Sequence, residues 1–255
     1  MKLKAAVLYR YQKYLKAIGL FCGLLLIPVI GALIATKMNN YEIFTRDSFY
    51  MFALCAILSF IIGITSYKPV FKFFLQNGVS RQSTHLSFVL SLPLGIVLAL
   101  AETIYHNVFV RVSEMLTDST GVKTAWFDMF SRVFNYNGSP LKIFVLRVVI
   151  GSLAFMMLMS FGYLMSAIFS GMKPFYKLIV SVVLVVLIIL SFVISSVTDS
   201  YASMGMPTWL AFIAFFALGG IGSYYVDHYI AAMIILTVLF TSISHLLIRK
   251  AIVRK

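Results

Sequence analysis

Acidic side chains are scarce in this chain, with eight Asp and Glu among 255 residues against 21 Lys and Arg. The scarcity is also patterned. Glu42, Asp47, Glu102, Glu114, Asp118, Asp128, Asp199 and Asp227 fall in or beside every second gap between the long apolar runs, and the other gaps and both termini have none. Charged residues make up 11% of the chain and hydrophobic residues 61%, a balance that excludes a water-soluble globule. Cysteine is limited to Cys22 and Cys55, both inside apolar runs, where a thiol acts as a small hydrophobe; a disulfide framework and a cysteine metal site are both excluded. Nucleotide and hydrolase motifs are missing as well. No G-x-x-x-x-G-K-[ST] loop occurs, and Gly171-Met172-Lys173 lacks the rest of that pattern. There is no H-E-x-x-H, the four histidines are far apart in sequence, and no serine sits in a G-x-S-x-G turn. The chain is therefore expected to hold no metal or cofactor and to be no enzyme of these kinds.

What the chain has is basic residues at alternate ends of apolar runs. The acid-free segments hold Lys2, Lys4, Arg10, Lys13, Lys16, Lys68, Lys72, Arg81, Lys173, Lys177, Arg249, Lys250, Arg254 and Lys255. Lys and Arg flanking spans are retained on the cytoplasmic side, so this asymmetry orients the chain in a cell membrane with both termini inside. The net charge of +13 is thus read as attraction to anionic lipid headgroups, at about 1 kcal/mol per residue, and not as nucleic-acid binding.

A span needs roughly 20 apolar residues. Residues 18–36, 49–66, 86–108, 142–170 and 178–197 meet that requirement, and the basic tail requires one further crossing, assigned to 229–248. The expected fold is an all-α integral membrane domain of six transmembrane helices. Residues 208–225, interrupted by Gly219, Gly220 and Gly222, become a re-entrant hairpin entered from the outer face, with a seventh full span as the competing arrangement. Residues 1–17 read as an interfacial amphipathic helix. At 100 degrees per residue, Lys2, Arg10, Lys13 and Lys16 share one arc, and Leu3, Val7, Tyr11, Tyr14, Leu15 and Ile18 the opposite one. A cleaved signal peptide is the competing account of this segment, weakened by the spanning length of the apolar stretch. In the long outer loop, 109–141, Trp126, Phe127, Phe130, Val133 and Phe134 recur at helical spacing, as an aromatic face resting on the outer surface would.

Ionisable residues inside spans are costly and therefore mark function or fixed packing. Glu102 lies some 16 residues into the third span and Arg147 about a turn into the fourth from the outside, so both stand at similar depth and are expected to pair. Between spans two and three, residues 67–85 form more than a linker. Pro69 permits a new helix start, Phe71, Phe73, Phe74 and Leu75 supply an apolar surface, and Asn77-Gly78 breaks the chain. Ser80 to Thr84 then offer short polar side chains at a helix start, followed by an uninterrupted run into the membrane.

The Asn77-Gly78-Val79-Ser80-Arg81 sequence, preceded by an aromatic-rich segment between spans two and three, resembles the coupling helix of permease subunits of ABC-2 type exporters, especially small bacterial ones that export peptides. The order of elements is similar over nearly the whole chain, except that the outer loop 109–141 is longer. The resemblance implies that Gln76, Asn77, Gly78, Val79, Ser80, Arg81 and Gln82 sit in a cleft of a soluble ATPase that holds ATP and Mg. It also implies a second permease, identical or paralogous, and export of a hydrophobic or amphipathic substrate such as a cytolytic or antimicrobial peptide, with lipids or drug-like molecules next. The 13 Met and 23 Phe suit adaptable apolar surfaces. A non-transporting scaffold or immunity protein, and an intramembrane enzyme, are the alternatives from other classes.

Overall fold

The computed structural model describes residues 2–39, 47–117, 140–172, 175 and 226–250. The expected fifth span, the segment 208–225, most of the outer loop 109–141 with its aromatic face, and the last basic residues lie outside them. Within them every regular element is helical: α1 (Lys2–Asn39), α2 (Asp47–Thr65), α3 (Lys68–Gln76), α4 (Arg81–Val89), α5 (Leu94–Thr117), α6 (Pro140–Gly171) and α7 (Val226–Lys250). Four stretches among the described residues are long and apolar enough to cross a membrane, Leu54–Gln76, Arg81–Val108, Leu141–Gly171 and Ile230–Arg249. The protein is thus an all-helical membrane protein over the described residues.

Helix α6 is the hub and packs along α2, α5 and α7, while α1 lies against α4 and α5. The core runs through Phe88, Leu98, Phe155, Met159 and Tyr163, all nearly or wholly shielded. Phe88 and Tyr163 stack with centroids 3.8 Å apart, and Tyr67 meets Tyr163 edge-on at 5.5 Å. Lipid gives apolar side chains no reason to leave it, so such close packing has to hold the helices together.

Two local features stand out against the sequence reading. α1 is one unbroken helix over Lys2–Asn39, so residues 2–17 run without a break into the expected first span. Its 38 residues at about 1.5 Å each give about 57 Å, well beyond the roughly 30 Å of hydrocarbon. Nothing between Lys16 and Gly23 breaks it, because a single glycine costs a helix only about 1 kcal/mol. The run after Arg81 is not uninterrupted: α4 stops at Val89 and α5 starts at Leu94, with Pro93 between them. Proline lacks the N–H that would bond to the Val89 carbonyl and crowds that carbonyl, and short turns at Ser91 to Phe88 and Leu94 to Ser91 carry the chain across.

Candidate functional site

The site is the helix–turn–helix formed by α3 and α4 together with the part of α1 that fixes it. Pro69 lies in the first turn of α3, where its missing N–H leaves no helical bond unmade. Gly78 ends α3 at φ +69, the left-handed region that L side chains rarely adopt. The Val79 N–H donates to the Phe74 carbonyl at 2.9 Å and the Gly78 N–H to the Leu75 carbonyl at 3.1 Å, the paired bonds of a Schellman cap. Val79 packs with Ala6, Val70 and Phe74, supplying the apolar contact that completes that cap. One residue later Ser80 caps α4: its Oγ accepts from the Ser83 N–H at 3.1 Å.

These two caps leave a compact turn between helix ends. Gln76, Asn77, Gly78, Ser80 and Gln82 are exposed, Arg81 is half-buried, and Val79 is the inward anchor. Asn77 Nδ2 donates to the Phe73 carbonyl at 2.8 Å, and Lys2 Nζ reaches the Gly78 carbonyl at 3.0 Å. Beside the turn, Tyr9 stacks on Phe73 with centroids 5.2 Å apart.

Arg10 is the residue that sequence reasoning misplaced. The helical wheel put it with Lys2, Lys13 and Lys16 on a basic arc turned to headgroups, yet it is fully buried. Lys2 and Lys16 are exposed and Lys13 is half-buried, its ammonium held below the usual lysine range first by burial and then by the charge of Arg10. The inward line of α1 is Ala6, Arg10, Tyr14 and Ile18, spaced by four, which lies between the basic and apolar arcs. That rotation leaves Leu8 and Leu15 exposed.

Once inward, the guanidinium uses its whole fork. Nε donates to Ser87 Oγ at 2.9 Å, Nη1 to Tyr14 Oη at 2.9 Å and to the Ser66 carbonyl at 3.1 Å, and Nη2 to the Thr84 carbonyl at 3.3 Å. Its carbon lies 5.5 Å from the Phe74 ring centre and 5.7 Å from that of Phe88, both within cation–π range. Among the described residues no carboxylate pairs with it. The charge is instead met by carbonyl dipoles, among them that of Ser66 just past the negative end of α2, and by two aromatic faces. Tyr14 also bonds Ser66 Oγ, closing the network. One side chain thereby joins α1, the end of α2, α3 and α4 around the base of the turn. The signals in the sequence were faint: an Arg among lysines, with Tyr14 one turn on.

A second polar cluster lies between α5 and α6. Arg147 Nη2 stands 2.5 Å from Glu102 Oε1, with both side chains under a tenth exposed. Thr103 Oγ1 donates to Glu102 Oε2 at 3.3 Å and to the Ala99 carbonyl at 2.7 Å. His106, one turn beyond Glu102, is also buried. Replacing one member of the ion pair strands the other charge, at about 3–5 kcal/mol, whereas apolar replacement of both is often neutral. Glu102→Gln and Arg147→Met should therefore each lower the unfolding midpoint in detergent more than the double variant Glu102→Leu with Arg147→Met does. Additive losses in the double-mutant cycle would show that the two charges do not support each other.

Among the described residues no group of three or more His, Cys, Asp or Glu is placed to hold a metal ion. Comparison of the chain with protein-family models, with curated proteins and with solved structures finds no match.

Proposed function

We propose that this chain is the permease subunit of an ABC-2 type exporter, with six spans and both termini in the cytoplasm. ATP and Mg are bound and consumed by a separate soluble ATPase, and a second permease, identical or paralogous, completes the path. The substrate is hydrophobic or amphipathic, with a cytolytic or antimicrobial peptide as the leading class. The observation that carries the reading is the α3–α4 turn: its polar tip is exposed, both its helix ends are capped, and Arg10 ties its base to α1 and α2. An exposed element held at its base moves as a unit when pushed and passes the displacement to the spans it is tied to, as a receiver of force from a soluble motor must. The orientation rests on the basic residues of the alternate segments.

The test begins with copurification of the chain with its ATPase and measurement of hydrolysis and substrate export in the same vesicles. Arg81→Ala removes a charged contact from the tip. Gly78→Ala places a side chain at φ +69, costing about 1–2 kcal/mol of local strain, while Gly78→Asn costs less because Asn tolerates that conformation. The expected result is an intact complex whose hydrolysis continues while export falls, about tenfold or more for Arg81→Ala and Gly78→Ala and less for Gly78→Asn. Export undiminished in all three variants, or export by the chain with no nucleotidase present, would sink the reading.

A further inference from the structure

Where α4, α6 and α7 meet, two histidines that are far apart in sequence come face to face. His85 of α4 and His245 of α7 have ring centroids 4.9 Å apart and planes inclined by 45°. The ring of Tyr163, from α6, lies 5.9 Å from that of His85. His85 is 7% exposed, and Nδ1 of each histidine is shut off from solvent without a hydrogen-bond partner among the described residues. Two sealed, unsatisfied ring nitrogens on neighbouring rings are costly, and one group reaching both relieves both. A neutral imidazole has one donor nitrogen and one acceptor nitrogen, so one water between two neutral rings can accept from one and donate to the other. A divalent cation is the poorer occupant. No carboxylate or thiolate joins the two histidines among the described residues, and the Arg10 guanidinium adds a positive charge acting on His85.

We propose that His85 and His245 form an acid-sensitive latch between α4 and α7, closed while one water bridges the two neutral rings and opened when both are protonated. Protonation turns each acceptor nitrogen into a donor, so both Nδ1 atoms present N–H and neither ring keeps an acceptor. It also sets two cations about 5 Å apart, with Arg10 of α1 as a third positive charge nearby and, among the described residues, the neutral phenol of Tyr163 beside His85 from α6. The parted form takes up protons that the joined form excludes. The latch is therefore complete while both rings are neutral and is lost as acid protonates them. The ratio of joined to parted forms drops by up to about tenfold per pH unit for each proton gained. Because α4 carries the exposed turn, acid loosens the mount of that turn from the side opposite α1. The inference concerns packing alone and does not depend on the exporter reading.

The experiment places spin labels at Leu86→Cys and Leu246→Cys, both exposed neighbours of the pair, in full-length protein with Cys22 and Cys55 replaced by Ala, reconstituted in nanodiscs. The α4–α7 distance is followed from about pH 8 to about pH 5, across the histidine range. A single short distance should give way to a growing longer population in the parent. His85→Gln with His245→Gln, which keeps polar side chains without titration, should abolish the pH dependence, and His245→Gln alone serves if the double variant does not fold. An unchanged distance in the parent would overturn the proposal, as would the same acid response in the glutamine variants. Stoichiometric zinc binding at neutral pH that His85→Gln removes would assign the pair to a metal instead.

Discussion

Arg10→Ala is expected to lower unfolding stability by about 3 kcal/mol or more, with the greatest local loss around the α3–α4 turn. Four hydrogen bonds disappear at once, and the freed carbonyl of Ser66 and hydroxyls of Tyr14 and Ser87 stay buried where water does not reach them easily. A cavity the size of the side chain adds to this. Removing the guanidinium also removes its own cost of burial, so volume and polarity have to be separated. Arg10→Met fills much of the space with an apolar stem and should recover the cavity part only. Arg10→Lys keeps the charge but has one compact donor head in place of a planar fork, so it cannot span Ser87, Ser66 and Thr84 together and should fall in between. Thermal or denaturant unfolding in detergent gives the order Arg, Lys, Met, Ala. Hydrogen exchange at α3 and α4 locates the effect, because segments freed from a shared tie exchange faster. If Arg10→Ala unfolds like the parent, or if exchange rises uniformly through the protein, the side chain is not the tie that the geometry makes it.

The contrast between Arg10 and Glu102 shows what the amino-acid order could convey. Glu102 and Arg147 stand out because each interrupts an apolar run, and counting residues at 1.5 Å gives their depth, so two numbers sufficed to bring them opposite each other. Arg10 sits among Lys4, Lys13 and Lys16, and a helical wheel contains no neighbour that says which edge of the basic arc turns inward. That choice is made by partners 56 to 77 residues away, the Ser66 and Thr84 carbonyls and Ser87, whose contribution is backbone geometry or a common hydroxyl. The turn at Asn77-Gly78 was readable for the opposite reason. Its caps are local, built from residues three to five positions apart. Pro93 was equally local, yet the apolar run around it masked the break, which follows from the missing N–H at that position. His85 and His245 left no sequence signal at all, since 160 positions separate them and each alone is an ordinary polar residue near the end of a span.

Gly63 and Gly162 should be among the least replaceable positions in the bundle, because there α2 and α6 meet backbone to backbone. A Cβ built at Gly63 would lie against the Met159 carbonyl oxygen and 3.0 Å from both the carbonyl carbon of Met159 and the nitrogen of Tyr163. One at Gly162 would lie against the Phe60 carbonyl oxygen, 3.1 Å from the Ile64 nitrogen and 3.2 Å from the Gly63 Cα. Main-chain atoms cannot turn aside as a side chain can, so relief requires the helices to part along their length. In a bilayer the small-residue contact is itself a main source of helix affinity. Parting also disturbs the stacking of Phe60 on Phe161 and the packing of Met159 beside it. Overpacking of a core commonly costs about 1–3 kcal/mol where side chains can adjust; with backbone on both sides, Gly63→Val and Gly162→Val should exceed about 3 kcal/mol, and the Ala variants should cost somewhat less. Gly19 and Gly23 of α1 supply the control, since a Cβ there meets nothing within 4 Å. Changing either to Ala should be neutral or stabilise α1 by up to about 1 kcal/mol through helix propensity alone. Unfolding midpoints of the six variants, in one detergent and lipid mixture, decide the matter. Equal behaviour of the α1 and α2–α6 glycines would mean that the α2–α6 approach is looser than the backbone positions require.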